Sequence, residues 1–412
     1  MPEKIEVAEL CRAEWGRLLS ALIRDFGDFD VAEEALQGAF ASALEAWGKA
    51  VPKSPRGWLY AAARHDVIDR LRRNARLAEK QAALAALPTA EAPAADELYE
   101  ENAVPDERLR LIFTCCHPAL APEAQVALTL RTLCGLATEE IARAFLVPVP
   151  TMAQRLVRAK TKIRTAGIPY VVPEAADLPD RLAEVMAVLY LVFNEGHSAS
   201  RGESLVRAEL CAEAIRLARL VRELLREPVA ELEGLLALML LHDSRRGARL
   251  DSAGEMVLLA DQDRSLWDQK EIEEGRGLLR AALGRGPPGP YALEAAIAAV
   301  HADARRVEET DWRQIVGLYD LLEAVHPSPV VALNHAAAVS MAHGPEAALP
   351  LVEALAETLA DYHLWHATRA DLFRRLGRKG DAISSYRRAH ALARNAIERR
   401  FLEWRLAELG TS

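Results

Sequence analysis

The sequence predicts an all-α protein of several domains, and three observations carry that expectation. At 412 residues the chain exceeds what one hydrophobic core supports. Hydrophobic residues make up 51% and aromatics only 6%, with Ala, Leu and Arg frequent, a mix that favours helices over an all-β fold. Most of the 21 prolines fall between segments of helical periodicity, where they punctuate helices.

The elements follow in order. Residues 5–26 and 30–47 read as two helices broken at Phe26-Gly-Asp-Phe-Asp30. The loop Val51-Pro-Lys-Ser-Pro55 leads into a third, roughly 56–80. Wound at about 100° per residue, it gathers Tyr60, Ala63, Val67 and Leu71 on a core stripe, with Ile68 at the edge. Trp58, Ala62, His65, Asp69, Arg72 and Arg73 take the other side, so an aromatic shares a polar, basic face. Either a neighbouring element covers that face or it meets something flat and negatively charged. An Ala/Pro/Glu stretch over about 82–104 has no usable periodicity and reads as an exposed linker.

A second helical block runs over about 106–168 and ends at Gly167-Ile-Pro169. Within it, Thr138 to Leu146 reads as a short helix, Val147-Pro148-Val149 as a tight turn, and a second helix starts with Pro150 near its first position. That is the grammar of a helix-turn-helix. Met152, Leu156, Ala159 and Ile163 share one stripe, and Thr151, Gln154, Arg155, Arg158 and Thr161 lie outside it. Polar and Arg side chains at a helix N-terminus are what a major-groove reader needs. From Pro179 onward helix follows helix. Asn334-His-Ala-Ala-Ala-Val with Gly344-Pro-Glu-Ala-Ala-Leu resembles Arg369-Ala-Asp-Leu-Phe with Gly380-Asp-Ala-Ile-Ser-Ser-Tyr386. Ala347 and Ala382 are 35 apart, near the ~34-residue tetratricopeptide period. Residues 205–225 and 291–325 read either as degenerate copies or as plain helices. The expected domains are 1–81, a linker at 82–105, 106–168, a helical extension at 179–290, and repeats at 291–412.

Net charge is −9 but segregated. Residues 54–76 carry six Arg against two Asp, and 150–164 carry Arg155, Arg158, Lys160, Lys162 and Arg164 with no acid. Residues 91–107 hold seven acids and no base, an arrangement suited to covering a basic face transiently. Two local basic faces in an acidic chain point to directed anion contacts. The N-terminus has no signal-like apolar region and no run reaches membrane-spanning length, so a cytoplasmic location is expected. Cys11, Cys115, Cys116, Cys134 and Cys211 are few and unpatterned, as for free thiols in a reducing compartment. Cys115-Cys116-His117 has no second ligand pair at finger spacing, so it reads as core rather than zinc site. Asn194-Glu-Gly-His197 reads as a helix C-terminus with Gly196 in a left-handed cap rather than an acid/base pair. His363 and His366 flank Trp365 without a third ligand. No phosphate loop or nucleophile elbow occurs, and neither catalysis, a metal nor a cofactor is expected.

Trp58-Leu-Tyr-Ala-Ala-Ala-Arg-His-Asp-Val-Ile-Asp-Arg-Leu-Arg-Arg73 resembles regions 2.3–2.4 of bacterial sigma factors of the extracytoplasmic-function class. Asp30-Val-Ala-Glu-Glu-Ala-Leu-Gln-Gly-Ala-Phe40 is similar to their region 2.2, and 106–164 to their region 4. Phe113-Thr-Cys-Cys-His-Pro-Ala-Leu120 and Leu189-Tyr-Leu-Val-Phe-Asn-Glu-Gly-His197, followed by the repeats, resemble the subgroup with a long C-terminal extension. The resemblance implies that Asp30, Glu33, Glu34, Gln37 and Phe40 dock on the clamp coiled coil of core RNA polymerase. It implies that Trp58, Arg64, His65, Arg70, Arg72 and Arg73 melt and read the promoter −10 element. Thr151, Ala153, Gln154, Arg155 and Arg158 would read the −35 element. The C-terminal repeats would regulate activity or bind a protein or peptide partner, with no membrane contact.

Some positions depart from the family pattern. His65 stands where an Asn is frequent, which leaves the base preference open. Ala137 replaces the usual cap, so Thr138 is expected to cap the short helix. Val126 replaces a frequent Arg, and Gly38 an acid of the polymerase-binding helix. Two rivals remain at this stage: a duplex-DNA-binding regulator that never touches polymerase, and a tetratricopeptide scaffold.

Overall fold

The computed structural model describes residues 4–47, 52–77, 107–199, 202 and 205–410, with side-chain detail from residue 10 onward except at 11, 12 and 73–77. The expected linker at 82–105 lies outside the described residues, as does any covering role for its acids. Among the described residues the structure is helical, with two isolated β-bridges (Gly202 with Asn395, Leu250 with Met256) and no strand. The chain divides into two compact units, Met1–Val188 and Leu189–Ser412.

The first unit opens with α1 (Lys4–Phe26), α2 (Phe29–Ala46) and α3 (Pro55–Leu77). Gly27 at φ 71° takes the chain out of α1, and the Asp28 carboxylate accepts from the N–H groups of Asp30 and Val31 to start α2. Leu18, Leu19, Leu22, Leu36, Leu59, Tyr60, Ala63 and Val67 are buried between them. The core stripe of α3 stops one turn early, because Leu71 is exposed and the buried place is taken at the other end by Leu59. Arg56 binds the Glu14 carboxylate at 2.6 Å, and the Tyr60 hydroxyl donates to Asp25, tying α3 to α1.

The rest of this unit is α4 (Arg108–Cys115), α5 (Pro122–Thr132), α6 (Thr138–Ala144) and α7 (Val149–Thr165). α6 ends two residues before the sequence suggests, with Leu146 forced to φ 48° as the chain turns. Thr138 does not cap it. Ala137 holds that position, and the Glu140 carboxylate accepts from the Ala137 N–H at 2.7 Å. The stripe Met152, Leu156, Ala159 and Ile163 is buried as read. Cys115 and Cys116 are buried free thiols, against the hydroxyls of Thr132 at 3.2 Å and Thr129 at 3.7 Å. Among the described residues no group of three His, Cys, Asp or Glu is arranged to hold a metal ion.

α8 (Leu178–His197) contains the division between the units. Gly196 is inside this helix rather than in a left-handed cap. A Cβ there would lie 2.7 Å from the Cys211 N, so its role is close approach to α9 (Ala208–Leu224). α10 (Ala230–Asp243) is apolar all round, burying Leu232, Leu235, Leu236, Leu238, Met239, Leu240 and Leu241. α11 (Gln269–Leu283) and α12 (Pro290–Asp303) pack on it.

Helical pairs follow: α13 (Trp312–Val325) with α14 (Pro329–His343), α14 with α15 (Pro345–Glu353), and α16 (His363–Arg375) with α17 (Lys379–Leu392). The repeat register shifts by one. Ala347 is exposed while Ala348 is fully buried, and Ala348 matches the fully buried Ala382 at a spacing of 34. α18 (Ala396–Gly410) closes the last pair by packing Leu402 against Tyr386 and Ala389. His366 is core, its Nε2 2.8 Å from the Ala360 carbonyl, and the Trp365 indole donates to Val352.

A Cβ on Gly234 would sit 2.7 Å from the Ala292 N, backbone that cannot swing away. Gly234→Ala is therefore expected to cost about 1–3 kcal/mol, read as a lower urea midpoint. A second expectation concerns acid. His301 is pushed down to about 4 by burial and by Arg245 and Arg264, and burial holds His197 and His242 well below the ordinary range. A group whose pKa is lower folded than unfolded binds more protons unfolded. Its stabilisation is complete above the unfolded value near ~6.5 and is lost as pH falls through the folded value. The urea midpoint should fall as pH drops from above ~6.5 towards ~4, and His301→Gln should make that fall shallower.

Candidate nucleic-acid interface

Proline at the second position of α7 starts the helix without wasting a donor, and its buried stripe fixes which side faces out. The outward side carries Thr151, Gln154 and Arg158 exposed, with Ala153 and Arg155 partly so. Thr151, Gln154, Arg155, Arg158 and Lys162 line one wall of a shallow cleft of ≈ 380 Å³, and Ala119, Leu120, Ala121, Glu123 and Ala124 line the other. All five expected −35 residues are thus on one accessible helix face or its edge. No acid occurs within α7 to compete for its cations.

The α3 set is more divided. His65 is exposed, 3.3 Å from the Asp69 carboxylate, and Arg72 stands 3.8 Å from the same group. Trp58 is half-buried because its ring meets Trp47 edge-on at 5.3 Å. Trp47 is itself buried, so α2's C-terminal aromatic supplies the covering element that the sequence left open. Arg70 binds both Asp66, at 2.8 Å, and Glu34 of α2. Arg64 is half-buried, and the side chain of Arg73 lies outside the described residues.

The α2 residues are the least free. Glu33 belongs to the buried side of α2 beside Ala32 and Leu36, yet it is a carboxylate. Arg131 of α5 donates to it through Nε at 2.7 Å and through a second guanidinium nitrogen. Lys160 of α7 donates to it at 2.8 Å and to Asp30 at 2.8 Å. Arg164 adds a looser contact to Asp30 at 3.6 Å. Burial works against the Lys160 charge, but Glu33 and Asp30 outweigh it and its pKa is raised. Phe40 packs against Trp15 at 5.6 Å, and Arg131 lies over that same indole at 5.7 Å. Gln37 reaches Glu33 at 3.4 Å. Two of the residues expected to dock on polymerase, Asp30 and Glu33, are therefore joined within this unit to the helix expected to read the −35 element.

Sequence reasoning placed neither Arg131 nor Lys160 at this junction. A signal existed, since Glu33 interrupts the Ala32, Ala35, Leu36, Ala39 stripe and needs a cation. Lys160 sits four residues after Leu156 and three before Ile163, at the edge of the buried face.

A small helical domain with an aromatic-basic helix stands in this unit with a helix-turn-helix that has an open cationic face. The family model for "Sigma-70 region 2" matches residues 13–77, and that for "Sigma-70, region 4" matches 110–163. Residues 181–283 match a family of unknown function, DUF6596. An uncharacterized protein of Rhizobium meliloti (strain 1021) is 46% identical over 395 residues, covering 95% of this chain and 93% of the relative. The chain belongs to the sigma-70 family of sigma factors. Its two family regions serve promoter recognition, and among the described residues no helix is long and apolar enough to cross a membrane.

Removing Arg131 leaves a shielded carboxylate to Lys160 and a long contact from Gln37. Arg131→Met is expected to cost about 2 kcal/mol, and the double variant with Glu33→Gln to recover part of it. A double-mutant cycle in urea checks this; strictly additive effects would deny the coupling.

Proposed function

We propose that this chain is an initiation factor of the extracytoplasmic-function class that brings core RNA polymerase to a promoter. α2 joins the polymerase clamp through Asp30, Glu33, Glu34, Gln37 and Phe40. α3 takes the −10 element, with His65 and the open part of Trp58 against unstacked bases and Arg64, Arg70, Arg72 and Arg73 towards phosphates. α7 reads the −35 element with Thr151, Ala153, Gln154, Arg155 and Arg158. The factor works in the cytoplasm, performs no bond chemistry and holds no cofactor. Its C-terminal helices regulate activity or bind a protein or peptide partner. A groove of ≈ 420 Å³ bordered by Met341, Leu364 and Phe401 favours the latter use.

The observation that carries the mechanism is the capture of Glu33 and Asp30 by Lys160. Polymerase and α7 would compete for the same carboxylates. On this reading the free factor is closed, and docking on polymerase exchanges Lys160 and Arg131 for cations of the clamp. Releasing α7 then lets the −10 and −35 readers separate to promoter spacing. Unstacking follows from capture of extruded bases on α3.

The deciding experiment is transcription of genomic promoter fragments by core polymerase with and without the full chain. Start-site-specific transcripts are expected; a chain that binds duplex DNA yet neither binds core polymerase nor initiates would be a plain regulator. Lys160→Ala should bind core polymerase several-fold more tightly, because competition is removed, and unchanged affinity would deny the masking. Arg158→Ala should weaken −35 duplex binding and flatten its salt dependence by about one phosphate contact.

A further inference from the structure

The C-terminal unit holds a half-open cavity of ≈ 500 Å³ between α8, α10, α12, α13 and α14. That is room for a metabolite-sized molecule. Its lining includes Arg245, just past the end of α10, together with His197, His242 and His301.

Arg245 is the anomaly. Other shielded charges of this unit have protein partners: Glu233 is met by Arg285 at 3.0 Å and Arg222 at 3.5 Å, Asp243 by Arg246 at 2.8 Å, and Arg249 donates to the His197 carbonyl. Arg245 makes no ion pair with any described residue. Its guanidinium lies over Trp267 at 5.8 Å and donates to His242 Nδ1 at 2.8 Å. Burial, with Arg249 and Arg264 nearby, brings its pKa down to about 10. An Arg so placed is costly unless an anion completes it.

The histidines are suited to the same task. Because an Arg can only donate, His242 Nδ1 accepts and its Nε2 carries the proton. His197 meets His242 edge-on at 5.1 Å, and the His301 Nδ1 is buried without a partner. A metal cation would be repelled by Arg245, Arg249 and Arg264. Away from these groups the lining is mixed: Leu259, Ile297 and Val331 stand beside Asn194 and a Tyr190 hydroxyl that donates to Glu294 at 2.8 Å.

We propose that this cavity is the binding site of a small organic anion. Its carboxylate or phosphoryl oxygens accept from the Arg245 fork and from imidazole N–H groups, and its hydroxyl or amine groups face Asn194 and Glu294. Arg is the residue for such a contact because its planar donors match a two-oxygen group. The site concerns the C-terminal unit alone and stands apart from the promoter reading.

The test is thermal unfolding and calorimetric titration of the full chain with inorganic phosphate, glycerol phosphate, succinate, citrate and glutamate. At least one organic probe is expected to raise the melting temperature and to bind with measurable heat. Arg245→Gln should abolish that stabilisation without lowering the melting temperature of the unliganded chain, since it removes an unpaired buried cation. Arg245→Lys, which keeps the charge and loses the fork, should weaken binding at least tenfold. No stabilisation of the unsubstituted chain by any probe overturns the proposal, as does stabilisation that survives in both variants. Stabilisation by inorganic phosphate alone reduces the site to a simple anion site and overturns the organic ligand. If Arg245→Gln fails to fold, the Lys variant decides between these outcomes.

Discussion

The first unit depends on a carboxylate that should not be where it is. Glu33 occupies a turn of α2 whose neighbours Ala32, Ala35 and Leu36 are buried, and a carboxylate there loses most of its hydration. Arg131 and Lys160 restore what water would have supplied, from two different helices. An ion cluster of this kind is geometrically specific even when its net contribution to stability is small. Placing Glu33 opposite both cations fixes α2 against α5 and α7 together, which apolar contact alone would leave free to slide. The same contact turns Lys160 inward at the edge of the stripe that already sets Gln154 and Arg158 on the open side of α7. One buried charge thus ties a face of α2 to the edge of that stripe.

A similar economy governs α3. Its cations are numerous, but several are balanced inside the fold: Arg70 by Asp66 and Glu34, Arg72 by Asp69, Arg56 by Glu14. These pairs are partly exposed, so water and salt weaken them, and each is worth of the order of 0–1 kcal/mol. Breaking any one of them is therefore cheap, unlike release of the shielded Glu33. The two sets of contacts differ in kind. Those of α3 are separate and individually weak, whereas those of α2 are shielded and shared among Asp30, Glu33, Arg131 and Lys160.

Much of this was legible in the sequence because it rests on period and punctuation. The α7 stripe, the prolines around its turn and the paired repeats follow from spacing that any observer can wind onto a helix. What escaped depended on contacts between segments far apart in the chain. Whether the Trp58 face was covered or free stayed open until Trp47 was placed beside it, and Leu71 looked buried until α3 outran its neighbours. Gly196 read as a cap because glycine near a helix end usually is one, yet the approach of Cys211 set its identity. The one-residue slip between Ala347 and Ala348 has the same origin, since two adjacent alanines differ only in which faces the partner helix. Arg131 and Lys160 were ordinary basic residues until Glu33 gave them a purpose.

The two units handle buried charge in opposite ways, and the contrast bears on how the protein is used. In the first, the shielded Glu33 carboxylate is completed by cations from the same chain, so the unit is electrostatically closed by itself. In the second, Glu233 and Asp243 are completed likewise, but Arg245 is not, and three neutral histidines share its cavity. A fold that needed only stability would place an apolar side chain there, because an unpaired guanidinium costs more than it returns. Retaining the charge makes sense if the missing counter-charge arrives from outside. Glu33 needs nothing from outside to be satisfied, whereas Arg245 does, and its charge names the sign of what would complete it.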